Sequence, residues 1–430
     1  MRIFTPAFFL FLAGAGLSAS AQQIDDIINP SAVENIEKTL SSDDMRGRAS
    51  FTPDIERAAD FIEAQFKAAG LKTWNGGASY RQPFVLVRTS PISTTATLDG
   101  QLLPAGKVLT VSSATTLSID ENSGYEKAYI KAGANFATEA LHYIHEKKNY
   151  LVLVDTSFTT AFSRIGRFAR QQFKSDHSIV YILTGSDPVH YSVQMQQDVK
   201  ESKLANVVGI LPGKSKKNEY VIFSGHYDHL GVGKPDEKGD SIFNGANDDA
   251  SGTTAVLMLA NYFGKMKNNE RTLVFAAFTA EEIGEYGSQY FSSQFDPASV
   301  MAMFNIEMIG TESKWGTNSA YITGYERTDM GKILEKNLSG SGFTFYPDPY
   351  PQQQLFYRSD NASLARQGVP AHTISTSKMD SEKYYHTRGD EIGTLDMNNM
   401  ARIIQSIALS SKTIVEGEDT PSRVDTTQLR

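Results

Sequence analysis

Between Asn206 and Leu409, short uninterrupted apolar runs alternate with stretches whose apolar residues recur at helical spacing. Tyr220 to Ser224 and Leu273 to Phe278 predict buried strands, and Ser251 to Phe263 predicts a helix with Val256, Leu259, Ala260 and Phe263 on one face. Further strands are expected at Met301 to Ile309, Ala320 to Thr323 and Val369 to Ser375, and a further helix at Asp396 to Leu409. Strand-then-helix alternation implies a parallel or mixed sheet covered by helices. The expected fold class is therefore α/β, with a mixed, mostly parallel β-sheet flanked by helices.

Upstream, Thr52 and Pro53 open a stretch in which Ile55, Ala58, Ile62 and Phe66 keep a helical period as far as Gly70, with Thr52 as its expected cap. Residues 91–199 have a different texture. Tyr150 to Val154 and Ile179 to Leu183 read as strands around a helical stretch near Arg164 to Phe173, which predicts an inserted smaller β-rich domain or lid. The main domain is then expected from residues 22–90 and 200–412. The remaining residues 413–430 are polar, include Pro421, and are expected to be a disordered tail.

The first 21 residues carry Arg2, an apolar run from Phe8 to Leu17 and the small residues Ala19, Ser20 and Ala21. That pattern is an export signal, which predicts a periplasmic or secreted protein whose mature chain starts near Gln22. The run is shorter than the ~20 residues a membrane span needs, and no other segment is long and apolar enough, so no span is expected after signal removal. The absence of cysteine excludes disulfides, thiol nucleophiles and thiolate metal ligands. With 41 basic and 49 acidic residues the formal charge is −8, or −9 once Arg2 is lost, and this mildly acidic balance argues against a nucleic-acid partner.

The conspicuous polar residues fall just after the predicted strands, where open α/β sheets bind their ligands. His226, in Gly225-His226-Tyr227-Asp228-His229-Leu230-Gly231, can offer one ring nitrogen to a metal while Asp228 accepts the other N–H; the same residues could form a solvated turn. In Asn244-Gly245-Ala246-Asn247-Asp248-Asp249-Ala250-Ser251-Gly252, two carboxylates precede a helix. Capping explains Asp249 well, whereas small neighbours that permit close backbone approach suit Asp248 as a carboxylate shared between two cations. Glu281 and Glu282 stand at the mouth of the most apolar strand, a costly placement unless metal or proton compensates. The simplest division of labour has one of them bind metal and the other exchange protons. Glu307 interrupts an apolar strand, and His386 lies in Tyr384-Tyr385-His386-Thr387-Arg388-Gly389-Asp390, with Asp390 available to hold it. A lone histidine of this kind is more often structural than ligating.

In combination and order, these motifs resemble the M28 family of co-catalytic zinc peptidases, which includes aminopeptidases, glutamate carboxypeptidases and, more distantly, glutaminyl cyclases. The likeness runs from about Asn206 to Leu409, takes in the helix from Thr52 to Gly70, and includes Arg358-Ser359-Asp360-Asn361 through Gly368-Val369-Pro370. It implies a zinc exopeptidase-like fold and two zinc ions. His226 and Glu307 would hold one ion, His386 and Glu282 the other, and Asp248 would bridge them. Asp228 would orient His226, and Glu281 would be the general base. Many family members have Asp where this chain has Glu307, and the extra methylene moves the carboxylate by about 1.5 Å, which bears on how it coordinates. The 91–199 insertion occupies the place where some relatives carry a protease-associated domain, and its expected role is to limit access to the cleft.

The expected activity is hydrolysis of N-terminal residues from peptides by metal-activated water, with Tyr385 and Arg388 as candidate substrate-binding residues. Three alternatives remain open at this point. They are a one-zinc glutaminyl cyclase, a carboxypeptidase with Arg388 as the nearest basic group for a substrate C-terminus, and a non-catalytic binding relative.

Overall fold

The computed structural model describes residues 24–429, so the export signal expected over residues 1–21 lies outside the described residues. The chain divides into two units, one formed by the described residues up to Gln82 with those from Ala205 onward, the other by Pro83–Leu204. The inserted unit is longer at each end than the expected 91–199. The reason is that two long strands, Arg81–Leu98 and Tyr191–Leu211, run straight through the expected limits.

In the first unit, four central strands run parallel in the order Ala371–Ser375, Val300–Ile306, Lys216–His226 and Arg271–Phe278. Antiparallel strands flank them: Ser319–Ile322 pairs with Ala371–Ser375, and residues 207–211 pair with Arg271–Phe278. The sheet is thus mixed and mostly parallel at its centre, as the alternation of runs predicts. Every residue of Arg271–Phe278 is buried, as expected of a strand covered on both faces.

Alternate residues serve opposite faces. Val221 and Phe223 join one core with the helices Pro30–Leu40, Pro53–Ala68, Ser251–Met266 and Met397–Ser410, while Ile222 joins a second core with Val274, Phe278, Phe291 and Leu364. Phe223 sits at the centre of the first, with ring centroids 5.5 Å from Phe263, 5.6 Å from Phe275 and 5.0 Å from Phe304. The helix starts follow their caps. Thr52 accepts from the Asp54 amide with Pro53 in the first turn, and Asp396 accepts from the amides of Asn398 and Asn399.

The segment after 412 is ordered, which corrects the expected disordered tail. Lys412–Val415 is a short helix with Ile414 and Val415 buried. The buried Arg271 donates to Ile414 O at 2.8 Å, to Asp419 O at 2.7 Å and to Thr420 Oγ1. Arg423 donates to Val300 O at 2.7 Å, and the Val424 amide to Gly368 O at 3.1 Å. Polar composition concealed this because the tail is held by hydrogen bonds to distant residues, which composition does not report.

The second unit has its own four-stranded sheet in the order Val108–Val111, Ile179–Leu183, Tyr150–Val154 and Glu126–Ile130, parallel except for the first pair. The helix Phe136–His145 connects the two parallel strands 126–130 and 150–154, and Tyr181 Oη donates to Ala140 O at 2.7 Å beneath it. The predicted strands 150–154 and 179–183 are both present. The expected helical stretch near Arg164 to Phe173 is shorter, Ile165–Arg170, and passes into the strand Gln171–Phe173.

Candidate metal centre

Parallel pairing places three candidate segments at one edge of the sheet. His226 ends its strand opposite Phe278, and Ser224 pairs with both Ala276 and Asn305. His226, the Glu281-Glu282 pair and Glu307 therefore leave neighbouring strands at the same carboxyl edge. The strand expected over Met301 to Ile309 ends at Ile306, because Met308 turns to φ +52° and gives its amide to Asp249 Oδ1 at 3.1 Å. Asp248 comes from the turn before the helix Ser251–Met266, and His386 from the loop beyond Ala371–Ser375.

Asp248 lies between two histidines. Its Oδ1 is 3.2 Å from His226 Nε2 and its Oδ2 is 3.2 Å from His386 Nε2. His386 Nε2 is also 3.1 Å from Glu282 Oε2. On the other side, ligand atoms of His226, Asp248 and Glu307 lie within 4.8 Å of one another. Glu281 Oε2 stands 3.9 Å from His226 Nε2. All five residues expected to bind metal, and Glu281, are brought to one place.

The supporting contacts differ in part from expectation. The His226 Nδ1–H donates to the Asp228 backbone carbonyl at 3.1 Å, while the Asp228 carboxylate is 3.8 Å away. That carboxylate is occupied by the Glu281 amide at 3.1 Å and the Ser50 hydroxyl at 3.0 Å, so Asp228 steadies His226 through its main chain and Glu281 through its side chain. Asp390 does not hold His386. Its two oxygens accept the amides of Asn247 at 2.8 Å and Asp248 at 3.0 Å. Asp249 accepts from His226 N, Gly252 N and Met308 N, tying together three segments of the site. Gly252 makes this approach possible, since a Cβ there would fall 2.1 Å from Ile306 O and 2.4 Å from Asp249 Oδ1.

Two residues with no assigned part in the sequence reading complete the frame. Arg48, fully buried, donates to Leu40 O and Asn244 O at 2.6 Å and to Tyr227 O and Gly245 O at 2.9 Å, so one guanidinium fastens the segments that carry His226 and Asp248. His229, also buried, has Nδ1 2.7 Å from Glu282 Oε1. Nothing in a polar run such as Met45-Arg46-Gly47-Arg48 distinguishes Arg48, but His229 shared a motif with His226 and could have been weighed beside it.

The residues fit a pair of cations. Four carboxylates, of Asp248, Glu281, Glu282 and Glu307, converge in a mostly buried place, which is costly without compensating positive charge. His226 Nε2 and Asp248 Oδ2 are buried without a hydrogen-bond partner among the described residues. Ligand atoms around a tetrahedral zinc, at 2.0–2.1 Å from the ion, are about 3.3 Å apart, close to the 3.1 and 3.2 Å separations among His226, Asp248, His386 and Glu282. The field favours positive charge as well: the carboxylates of Asp248 and Glu282 beside it push His386 up to about 10. Burial, with the charges of Glu307, Asp360 and Glu282 nearby, holds Glu281 well above the usual carboxylate range, and burial pushes Glu307 up to about 7.

Of the two candidate substrate-binding residues, Tyr385 lies beside the centre. Its ring stacks on His386 at 3.9 Å, and it lines a cavity with Glu307, Met308, Tyr321, Arg358 and Met379. Burial, with the nearby carboxylates, raises its phenol above the ordinary range. Arg388 is instead engaged by the 231–243 hairpin, where it stacks on Phe243 and donates to Lys234 O.

Comparison with known proteins bears on the family and the fold. The sequence model of "Peptidase family M28" matches residues 206–410. Leucine aminopeptidase 1 of Ajellomyces capsulatus (strain H88) is 25% identical over 309 residues, covering 65% of this chain and 76% of that protein. A "Probable zinc metalloprotease" of Pyrenophora tritici-repentis is 38% identical over 147 residues, 32% of this chain and 33% of that protein. Among solved structures, an aminopeptidase from Aneurinibacillus sp. strain AM-1 has a TM-score of 0.54 at 18% identity, covering 91% of this chain and 95% of that one. The peptidase M28 precursor of Shewanella amazonensis gives 0.55 at 13%, covering 95% and 98%. These structural likenesses establish the α/β fold.

Proposed function

We propose that this chain, a peptidase of family M28 and so a hydrolase, is a two-zinc aminopeptidase that removes N-terminal residues from peptides. The observation that carries the reading is the position of Asp248, with one carboxylate oxygen 3.2 Å from His226 and the other 3.2 Å from His386. A carboxylate so placed would serve two ions at once. His226 and Glu307 would complete one site, His386 and Glu282 the other.

When bound, two zinc ions in such a site polarise the scissile carbonyl and acidify water. Glu281 would accept the proton of the attacking water and pass it to the leaving amine. Its backbone is fixed for this by the Asp228 carboxylate, which accepts its amide at 3.1 Å. The Tyr385 hydroxyl, kept protonated by burial and nearby carboxylates, can donate a hydrogen bond to substrate. The relative named leucine aminopeptidase 1 supports action at the amino end, while Arg388, the group named for the carboxypeptidase reading, stacks on Phe243 and donates to Lys234 O. The export signal expected over residues 1–21 supports action outside the cytoplasm.

The test is a panel of aminoacyl-anilides and N-acetylated peptides incubated with purified protein, with zinc quantified and with or without chelator. Chelator-sensitive release of free N-terminal residues, restored by two zinc ions per chain, is expected. Failure to release any of them, or one tightly held zinc with pyroglutamate formation, would sink the proposal.

A further inference from the structure

We infer that His229 is a positioning residue for one half of the metal centre: it holds one oxygen of Glu282 so that the other is left facing the ion. The inference rests on Glu282 being a zinc ligand.

The two oxygens of Glu282 have different neighbours. Oε1 lies 2.7 Å from His229 Nδ1, and Oε2 lies 3.1 Å from His386 Nε2. Rotation about the bond to the carboxyl group would exchange them, and the bond to His229 opposes that rotation. Nδ1 is 3.9 Å from Asp248 Oδ2, beyond hydrogen-bond reach, so the imidazole is committed to Glu282. An ionised carboxylate only accepts, so His229 donates to Glu282 through Nδ1–H. Nε2 is buried without a partner among the described residues, so Glu282 is the hydrogen-bond partner this ring has there.

Distance separates this role from direct ligation. Ligand atoms of His229, Asp248 and Glu282 could by themselves hold an ion, since they lie within 4.8 Å of one another. Yet 2.7 Å is a hydrogen-bond length, short of the about 3.3 Å edge of a tetrahedral zinc site, whereas His386 spans the same two carboxylates at 3.1 and 3.2 Å.

The ring is also prevented from swinging away. Gly245, at φ +57°, lies against it so closely that a Cβ there would fall 2.5 Å from its Cγ and Cδ2. Arg48 fixes both sides of this contact, donating to Gly245 O at 2.9 Å and accepting the His229 amide at 3.3 Å. The side chain is fully buried, which suits a support better than a group that meets substrate.

The experiment titrates zinc, and cobalt as a spectroscopic substitute, into metal-free wild type and the variants His229→Phe, His229→Asn and Glu282→Ala, with thermal melts of each metal-free protein. Phe keeps the ring and loses the donor; Asn keeps an N–H the same number of bonds from the backbone. In His229→Phe, one ion should bind about 10- to 100-fold more weakly while the other keeps its affinity, and His229→Asn should recover most of the loss. Wild-type affinity for both ions in His229→Phe, or a loss in His229→Asn as large as in His229→Phe, overturns the inference. Should His229→Phe not melt cooperatively, His229→Leu replaces it as the variant without a donor: weaker binding of one ion, recovered in His229→Asn, supports the role, and wild-type affinity for both ions refutes it. Two full-affinity ions in Glu282→Ala would show instead that the ligand reading had failed.

Discussion

Asp390 accepts the Asp248 amide at 3.0 Å through one oxygen and the neighbouring Asn247 amide at 2.8 Å through the other. A buried carboxylate thereby fixes the main chain beneath the residue placed between the two histidines. Asp390→Ala leaves two buried amides unpaired and should lower stability by about 2–4 kcal/mol, with weakened zinc binding. Asp390→Asn, able to accept through one oxygen only, should fall between. Denaturant melts of the metal-free proteins and zinc titration check both; an Ala variant as stable as wild type would refute the clamp.

Metal content should follow the pairing of ligands. His226→Ala and Glu307→Ala should each leave one ion per chain, as should His386→Ala and Glu282→Ala, but the double variant within a pair should still bind one while a double variant across pairs should bind none. Asp248→Ala should weaken both. Elemental analysis after dialysis reads the counts, and a cross-pair double variant that keeps one ion would overturn the assignment.

Glu281→Gln removes the proton acceptor and keeps the side chain's size. Turnover should fall by about 10²- to 10⁴-fold with both ions retained. Loss of metal together with turnover would move Glu281 from base to ligand.

His372 offers a pH signature away from the metal centre. It is buried, with Nδ1 2.8 Å from Thr323 O and Nε2 2.8 Å from Thr328 Oγ1, and burial lowers it from 6.5 to about 4. The folded pKa is the lower one, so its contribution is fully present above pH 6.5 and is lost as the pH falls towards 4, by roughly 3 kcal/mol in all. Urea melts of wild type and His372→Gln at pH 7 and pH 4.5 should show wild type losing more stability than the variant. Equal losses would refute it.

Deleting residues 413–430 should destabilise the first unit by on the order of 3–5 kcal/mol, because Arg271 would keep Glu219 but lose its acceptors at Ile414, Asp419 and Thr420. A truncated protein with an unchanged melting temperature would show that the tail's bonds carry no weight.

Legibility in the sequence followed the range of the interactions. The strand Leu273 to Phe278 and the helix from Ser251 were visible because burial imposes their periodicity locally. His226, Glu281, Glu282 and Glu307 stood out as polar residues at the ends of apolar runs, a position that parallel pairing turns into neighbourhood. Contacts that close over long separations left no such mark. Asp390 was read beside His386, four residues away, but its carboxylate serves amides 142 and 143 residues distant. Asp228 faces His226 with its carbonyl rather than its carboxylate because Ser50 and the Glu281 amide compete for the latter. The tail's order depends on Arg271, which no composition argument reaches.

Arg48 has one further consequence, for the order of events in folding. Three of its four acceptors lie 179, 196 and 197 residues later in the chain. During synthesis the guanidinium emerges well before the carbonyls it will fasten, and contacts of such long separation form slowly. Both ligand loops stay unfastened until that distance has been closed. While that distance is open, the segments carrying His226 and Asp248 are not tied to Arg48, so the candidate site takes shape only once early and late segments have met.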